Sequence, residues 1–182
     1  EAIYDRPQIR EDLRWESEPP EALIAVHLAT GATSRALDSE QSAAIVTTLE
    51  RSGARIVALG SGTERELLER VFSGTDAELW CGRPLVEIAR LLARASLFVG
   101  LDSSMMNLAD AVGTPSVIIY PTTSPHLAGP FYTPSVAVTP DKYEPVGVQA
   151  LTSWSVAAPS SGIPASAIAD ALDSELHRLS RS

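Results

Sequence analysis

The sequence predicts a doubly wound α/β domain with a mostly parallel sheet and helices on both faces. Three observations carry this. Segments of strand length recur at residues 23–28, 54–59, 76–81, 97–101 and 116–120. Stretches with apolar residues at helical spacing lie between them. The connection from 101 to 116 holds room for one helix, so it joins parallel neighbours.

Composition sets the outer bounds. The 182 residues suffice for one such domain with a sizeable core, and a hydrophobic content of 45% with 20% charged residues is ordinary for a globular chain. The formal net charge of −9 disfavours a nucleic-acid or anionic-membrane surface. Cys81 is the single cysteine, so no internal disulfide or thiolate metal cluster can form. His27, His126 and His177 lack metal-ligand spacing, and neither metal nor cofactor is expected. No run is long and apolar enough to span a bilayer, and no signal peptide is evident; a cytoplasmic location follows as the default expectation.

In chain order, residues 1–22 are polar and carry Pro7, Pro19 and Pro20. They read as a linker or edge arm, which leaves 23–182 as the domain. The chain begins at Glu1 rather than methionine and is expected to be part of a longer product or a trimmed one. Residues 23–28 form a buried-strand candidate, followed by a small polar loop to 37. Asp38 with Gln41 three residues on is a capping-box start, Gly53 is a stop, and Ala44, Ile45, Val46 and Leu49 supply the stripe between. The strand at 54–59 ends in Gly60-Ser61-Gly62. Thr63 is the expected cap of a helix through Phe72 that turns Leu67, Leu68, Val71 and Phe72 inward and pairs Glu66 with Arg70 outside. After a strand at 76–81, Pro84 opens a helix to Ala95 that uses Leu85, Ile88, Leu92 and Ala95 against the sheet. Residues 127–161, rich in Pro, Ser, Thr and Gly, read as irregular loops pinned by Tyr132, Tyr143 and Trp154. Ile163-Pro164-Ala165 opens a last helix with Ile168, Leu172 and Leu176 in line.

The stretch 95–121 organises the rest. An apolar strand ends at Leu101, and Asp102, Ser103 and Ser104 make a polar turn. Met105, Leu108, Ala109 and Val112 then line a helix that Gly113 stops. A helix that starts at the carboxyl end of a parallel strand aims unpaired N–H groups and a positive dipole end into the crevice above the sheet. That suits an anion, most often a phosphate; the plainer reading is that Asp102 and the serines only cap the helix.

The order Asp102-Ser103-Ser104-x-x-Asn107-Leu108-Ala109-x-Ala111-x-Gly113-Thr114-Pro115 resembles the D-[S/T]-G-x-x-H-x-A-x-A-x-G-x-P signature of family 9 glycosyltransferases, the lipopolysaccharide heptosyltransferases. Ser104 stands at the family glycine and Asn107 at the family histidine. The segment that follows the first strand is similar to H-P-G-A-S…K-R-W-P-x-E, with Arg35 at the lysine, Leu37 at the tryptophan and Glu40 at the glutamate. Gly60 to Glu64 resembles a G-G-x-E turn, and 82–92 resembles G-x-x-x-L-x-E-L-A-A-L-L. Residues 121–125 resemble a G-P-T-D-P loop, with Pro121 for the glycine and Ser124 for the aspartate.

This resemblance covers roughly residues 23–179. It implies a Rossmann-like half of a GT-B fold, the C-terminal half that binds a nucleotide-diphosphate sugar. Donor contacts would come from Arg35, Asp102, Ser103, Ser104 and Asn107, with Glu64 or Arg83 toward ribose or base, and Thr122 in the loop that faces the donor. Arg35 reads equally as a solvated loop arginine. The implied chemistry is metal-independent, inverting transfer for bacterial surface or secondary-metabolite glycosylation, in the cytoplasm or at the inner face of the membrane. The family's catalytic base and acceptor surface lie in an N-terminal half for which this chain has no room. It therefore needs an acceptor domain or partner polypeptide and is expected to be inactive alone. The rival expectation is a non-catalytic interaction or scaffold domain with a degenerate donor pocket. A stand-alone domain for another phosphate ligand is the third.

Overall fold

The computed structural model describes residues 21–29, 36–140 and 162–181. The expected arm at 1–20, Arg35 and most of its loop, and Tyr143 and Trp154 lie outside the described residues. Six strands make one all-parallel sheet: β1 (Glu21–His27), β2 (Arg55–Gly60), β3 (Glu78–Cys81), β4 (Ala95–Leu101), β5 (Ser116–Ile119) and β6 (Ser135–Val138). Their order across the sheet is β3-β2-β1-β4-β5-β6. The chain thus winds outward in one direction from β1 to β3 and, after β4, in the other. The doubly wound class is as expected, and the switch point falls between β1 and β4.

Each strand sends alternate residues to opposite faces. Ile24 and Val26 of β1 join Ile45, Leu49, Leu68, Phe72, Ile168 and Leu172 in one core. Leu23 and Ala25 join Ile88, Leu92, Phe98, Met106 and Ala109 in the other. The first core sits under α1 (Ser39–Arg51), α2 (Arg65–Val71) and α6 (Ala165–Leu179). The second sits under α3 (Leu85–Arg94) and α4 (Ser104–Val112). A short helix, α5 (Pro125–Ala128), follows β5.

The expected capping box forms at α1. The Gln41 N–H donates to Asp38 Oδ1 at 2.8 Å, and the Asp38 N–H donates to Gln41 Oε1 at 3.0 Å. Gln41 is itself buried, and its amide donates to the Ile163 carbonyl at 2.7 Å, tying the start of α1 to the lead-in of α6. Gly113 ends α4 at φ 92°, left-handed backbone where a side chain would be strained.

Four expectations are corrected. Ser61, not Thr63, is the cap after β2, and it opens a 3-10 turn at Gly62–Glu64 that leads into α2. The i,i+4 pair on α2 is Arg65–Glu69 at 3.8 Å. Leu67 and Leu85 are exposed rather than packed, because α2 is a short helix with one inward face and Leu85 stands at the very start of α3. Within the span read as loops, residues 135–138 pair with β5 as an edge strand.

The loop before that strand is fixed by Asp110. Its buried carboxylate accepts the backbone N–H groups of Phe131 (2.8 Å), Tyr132 (3.0 Å) and Thr133 (2.9 Å) and the Thr133 hydroxyl (2.7 Å). Asp110→Ala would leave these donors without their shared acceptor. A loss of roughly 2–4 kcal/mol is expected in urea unfolding, with faster amide exchange at 131–133 than in the rest of the sheet.

Tyr120, fully buried at the end of β5, has its phenol pushed up to about 12 by burial and by the nearby Asp102 and Asp110 carboxylates. A raised folded value means that the native state holds the proton more tightly. The contribution is present below pH 10, the ordinary value, and is lost as pH rises toward about 12. Replacement by Phe should remove about 2–3 kcal/mol of that alkaline loss, read as the change in unfolding free energy across this window.

Candidate functional site

A cavity of about 760 Å³ opens above the carboxyl ends of β1 to β4, at the switch point. Each wall comes from the turn that follows a strand. His27 and Ala29 close β1, Gly60 ends β2 and Ser61, Gly62 and Glu64 follow it, Gly82 and Arg83 follow β3, and Asp102, Ser103, Ser104 and Asn107 follow β4. Leu85 and Met105 add apolar rims.

The β4–α4 turn matches the geometry that its sequence suggests. Ser103 is the N-cap of α4 in extended backbone, yet its side chain makes no capping bond to the helix. The hydroxyl instead lies 3.4 Å from His27 Nδ1, across the β1–β4 boundary. Ser104 and Asn107 are exposed on the first turn of α4, and the Asn107 N–H reaches the Ser103 carbonyl at 3.3 Å. The first N–H groups of α4 therefore face the cavity with hydroxyls and an amide around them, an arrangement that favours an anion.

The charged walls are mixed. Glu64 Oε2 accepts the Ser61 N–H at 2.6 Å, so this carboxylate is held by its own turn while it lines the cavity. Arg83 stacks over the Trp80 ring at 5.2 Å and pairs with Glu87 at 3.6 Å, which fixes a cation at the mouth. Burial lowers the His27 imidazole below its ordinary value of 6.5, and the Glu64 carboxylate opposes that shift. His27 is therefore neutral at neutral pH. Among the described residues no group of three His, Cys, Asp or Glu side chains is placed to hold a metal.

Of the residues singled out from sequence, Glu64, Arg83, Asp102, Ser103, Ser104 and Asn107 meet in this one cavity. Thr122 does not line it; it follows β5, one strand farther from the switch point. Arg35 lies outside the described residues. Sequence reasoning missed His27 and Ser61. A polar residue that closes an apolar strand is the signal for His27, and it gains meaning only once β1 and β4 are known to be neighbours.

A doubly wound, all-parallel sheet with a crevice at its switch point defines a Rossmann-like α/β domain. Residues 9–147 match glycosyltransferase family 9 (heptosyltransferase), and the chain belongs to that family. Its fold is similar to a family 9 glycosyl transferase from Veillonella parvula, with TM-score 0.72 and 18% identity over 87% of this chain and 46% of that one. It is also similar to the E. coli heptosyltransferase WaaC with ADP, with TM-score 0.69 and 21% identity over 95% and 52%. E. coli ADP-heptose lps heptosyltransferase II gives TM-score 0.65 and 17% identity over 92% and 50%. The chain thus spans about half the length of these structures. No curated protein sequence matches it.

The lowered His27 value gives a testable sign. The native state binds fewer protons than the unfolded chain below pH 6.5, so this contribution is present above pH 6.5 and lost on acidification through the folded value. The dependence of unfolding free energy on pH between neutrality and pH 5 should flatten in His27→Gln; an unchanged slope would contradict a neutral, buried imidazole.

Proposed function

We propose that this chain is the donor-binding half of a heptosyltransferase-like glycosyltransferase, with residues 23–182 as the nucleotide-sugar domain. The observation that carries the reading is the open cavity at the switch point. Six of the expected donor contacts converge there around the head of α4.

The diphosphate sits at the N-terminal N–H groups of α4, within reach of the Ser103 and Ser104 hydroxyls and the Asn107 amide. Glu64 and Arg83, on the β2 and β3 side, take the ribose and base. Arg35, on the polar loop after β1, supplies a further cation. When the glycosyl bond breaks, negative charge grows on the departing diphosphate. Fixed N–H and O–H donors there stabilise that charge without a metal. The acceptor and catalytic base come from a second domain or polypeptide, so transfer requires that half. A place in bacterial surface or secondary-metabolite glycosylation, in the cytoplasm or at the inner membrane face, fits this chemistry. No described helix is long and apolar enough to cross a membrane.

The rival scaffold reading requires a pocket filled by Met105, Met106 or the 121–126 loop. Met105 does line the cavity, at its rim, but Met106 is turned into the core, where the Tyr120 hydroxyl donates to its sulfur at 3.4 Å, and the 121–126 loop does not line the cavity. The placement of Met106 and of the loop supports a ligand site. Calorimetric titration with ADP, UDP, GDP and their sugar conjugates is the test. Saturable binding to one series is expected, weakened about tenfold in Ser103→Ala by the loss of one charge-assisted hydrogen bond. Folded protein that binds none of them would sink the donor reading for this chain.

A further inference from the structure

We propose that His27 is a proton-linked positioning residue of the anion site: a diphosphate at the head of α4 draws a proton from solvent onto its imidazole, and that proton turns the Ser103 hydroxyl toward the phosphate. The inference rests on the donor reading above and goes beyond it by naming how the site responds to charge.

The geometry supplies the argument. His27 Nδ1 and Ser103 Oγ are 3.4 Å apart, a loose contact that either atom can serve as donor while the imidazole is neutral. Ser103 is the N-cap of α4 and has no bond to its own helix, so its hydrogen has two directions available: His27 or the cavity. A protonated imidazole carries hydrogen on both nitrogens and can only donate. Ser103 Oγ must then accept from His27 Nδ1, and its own hydrogen is released to the cavity side. One proton gained on β1 thus produces one more donor at the phosphate, with no bond made or broken other than to hydrogen.

Charge gives the driving force. Among the described residues, the carboxylates that share the cavity with His27 are Glu64, after β2, whose charge acts on the imidazole, and Asp102, beside Ser103 after β4. Arg83, after β3, lines the same cavity and is already paired with Glu87. In the free protein burial keeps His27 neutral despite Glu64. A diphosphate diester adds about two negative charges to a cavity that already holds two carboxylates, and a nearby opposite charge raises an imidazole's titration midpoint by about one to three pH units. Asn107, on the other side of the turn, has no proton to exchange in this range.

The test uses the whole chain with His126→Gln and His177→Gln, two exposed histidines outside the cavity, so that the remaining imidazole signal is His27. ADP-glucose is the probe, because its diphosphate diester does not titrate near neutral pH. Imidazole nitrogen spectra recorded from about pH 8 to about pH 5, free and saturated, are expected to show the midpoint rising by about one to three pH units on binding. Calorimetry in buffers of differing ionisation enthalpy should show proton uptake, and affinity should tighten several-fold from about pH 8 to about pH 6. Binding with an unmoved His27 midpoint overturns this inference and leaves the donor reading standing. Uptake with His27 still neutral assigns the proton to Glu64 or Asp102 and equally overturns it. No binding of ADP-glucose, ADP, UDP or GDP overturns both.

Discussion

The close parallel approach of β4 to β1 is the constraint on which the rest depends. Gly100 pairs with His27 in this register, and a side chain on Gly100 would run into the buried Phe98 ring two residues back on its own strand and crowd the His27 carbonyl. A Cβ there would lie 3.0 Å from the His27 carbonyl oxygen and 2.7 Å from the buried Phe98 ring. Glycine is thus required by space, not by backbone angle. The approach sets the spacing of the two central strand ends, and through it the distance between His27 and Ser103.

For the anion site proposed, the cavity is unusual in one respect. Its described walls carry two carboxylates, Glu64 and Asp102, against one guanidinium that already has partners in Glu87 and Trp80. A net −9 chain does not draw anions by its long-range field. In the proposed donor reading, attraction is therefore local, from the oriented N–H groups of α4 and the hydroxyls of Ser103 and Ser104. Such fixed dipoles lose little entropy when a ligand arrives, and they act over the first helical turn only. This explains why the hydroxyl-bearing turn, and not a basic patch, is the organising feature of the chain.

What was legible in the sequence is what local chemistry dictates. Asp38 and Gln41 fix the start of α1, Gly113 fixes the end of α4, and buried apolar runs fix the central strands. The turns that follow those strands inherit their place in the cavity, which is why six of the residues singled out from sequence line it together. What was missed depends on partners far away in sequence. The strand β6 has four residues, lies at an edge and is half exposed, so its apolar signal is weak until β5 is beside it. Asp110 reads as an unremarkable helix residue until the 131–133 backbone is found on its carboxylate. Thr122 differs from the other six for the opposite reason: its loop resembles a motif, yet β5 carries it one strand away from the cavity.

The two departures from the family pattern at the α4 turn take on a physical meaning in this frame. Among the described residues no side-chain-bearing residue has positive φ, so Ser104 sits in ordinary helical backbone. The change from glycine therefore strains nothing; it fills space at the mouth and adds a hydroxyl donor beside Ser103. Asn107 keeps a hydrogen-bonding group on the first turn of α4 but removes a titratable one. The histidine that lines the cavity is His27, on the opposite side of the switch point and in contact with Ser103. Neither the Ser103 hydroxyl nor the Asn107 amide exchanges a proton near neutrality, so the proposed coupling to pH at this turn runs through His27 on β1.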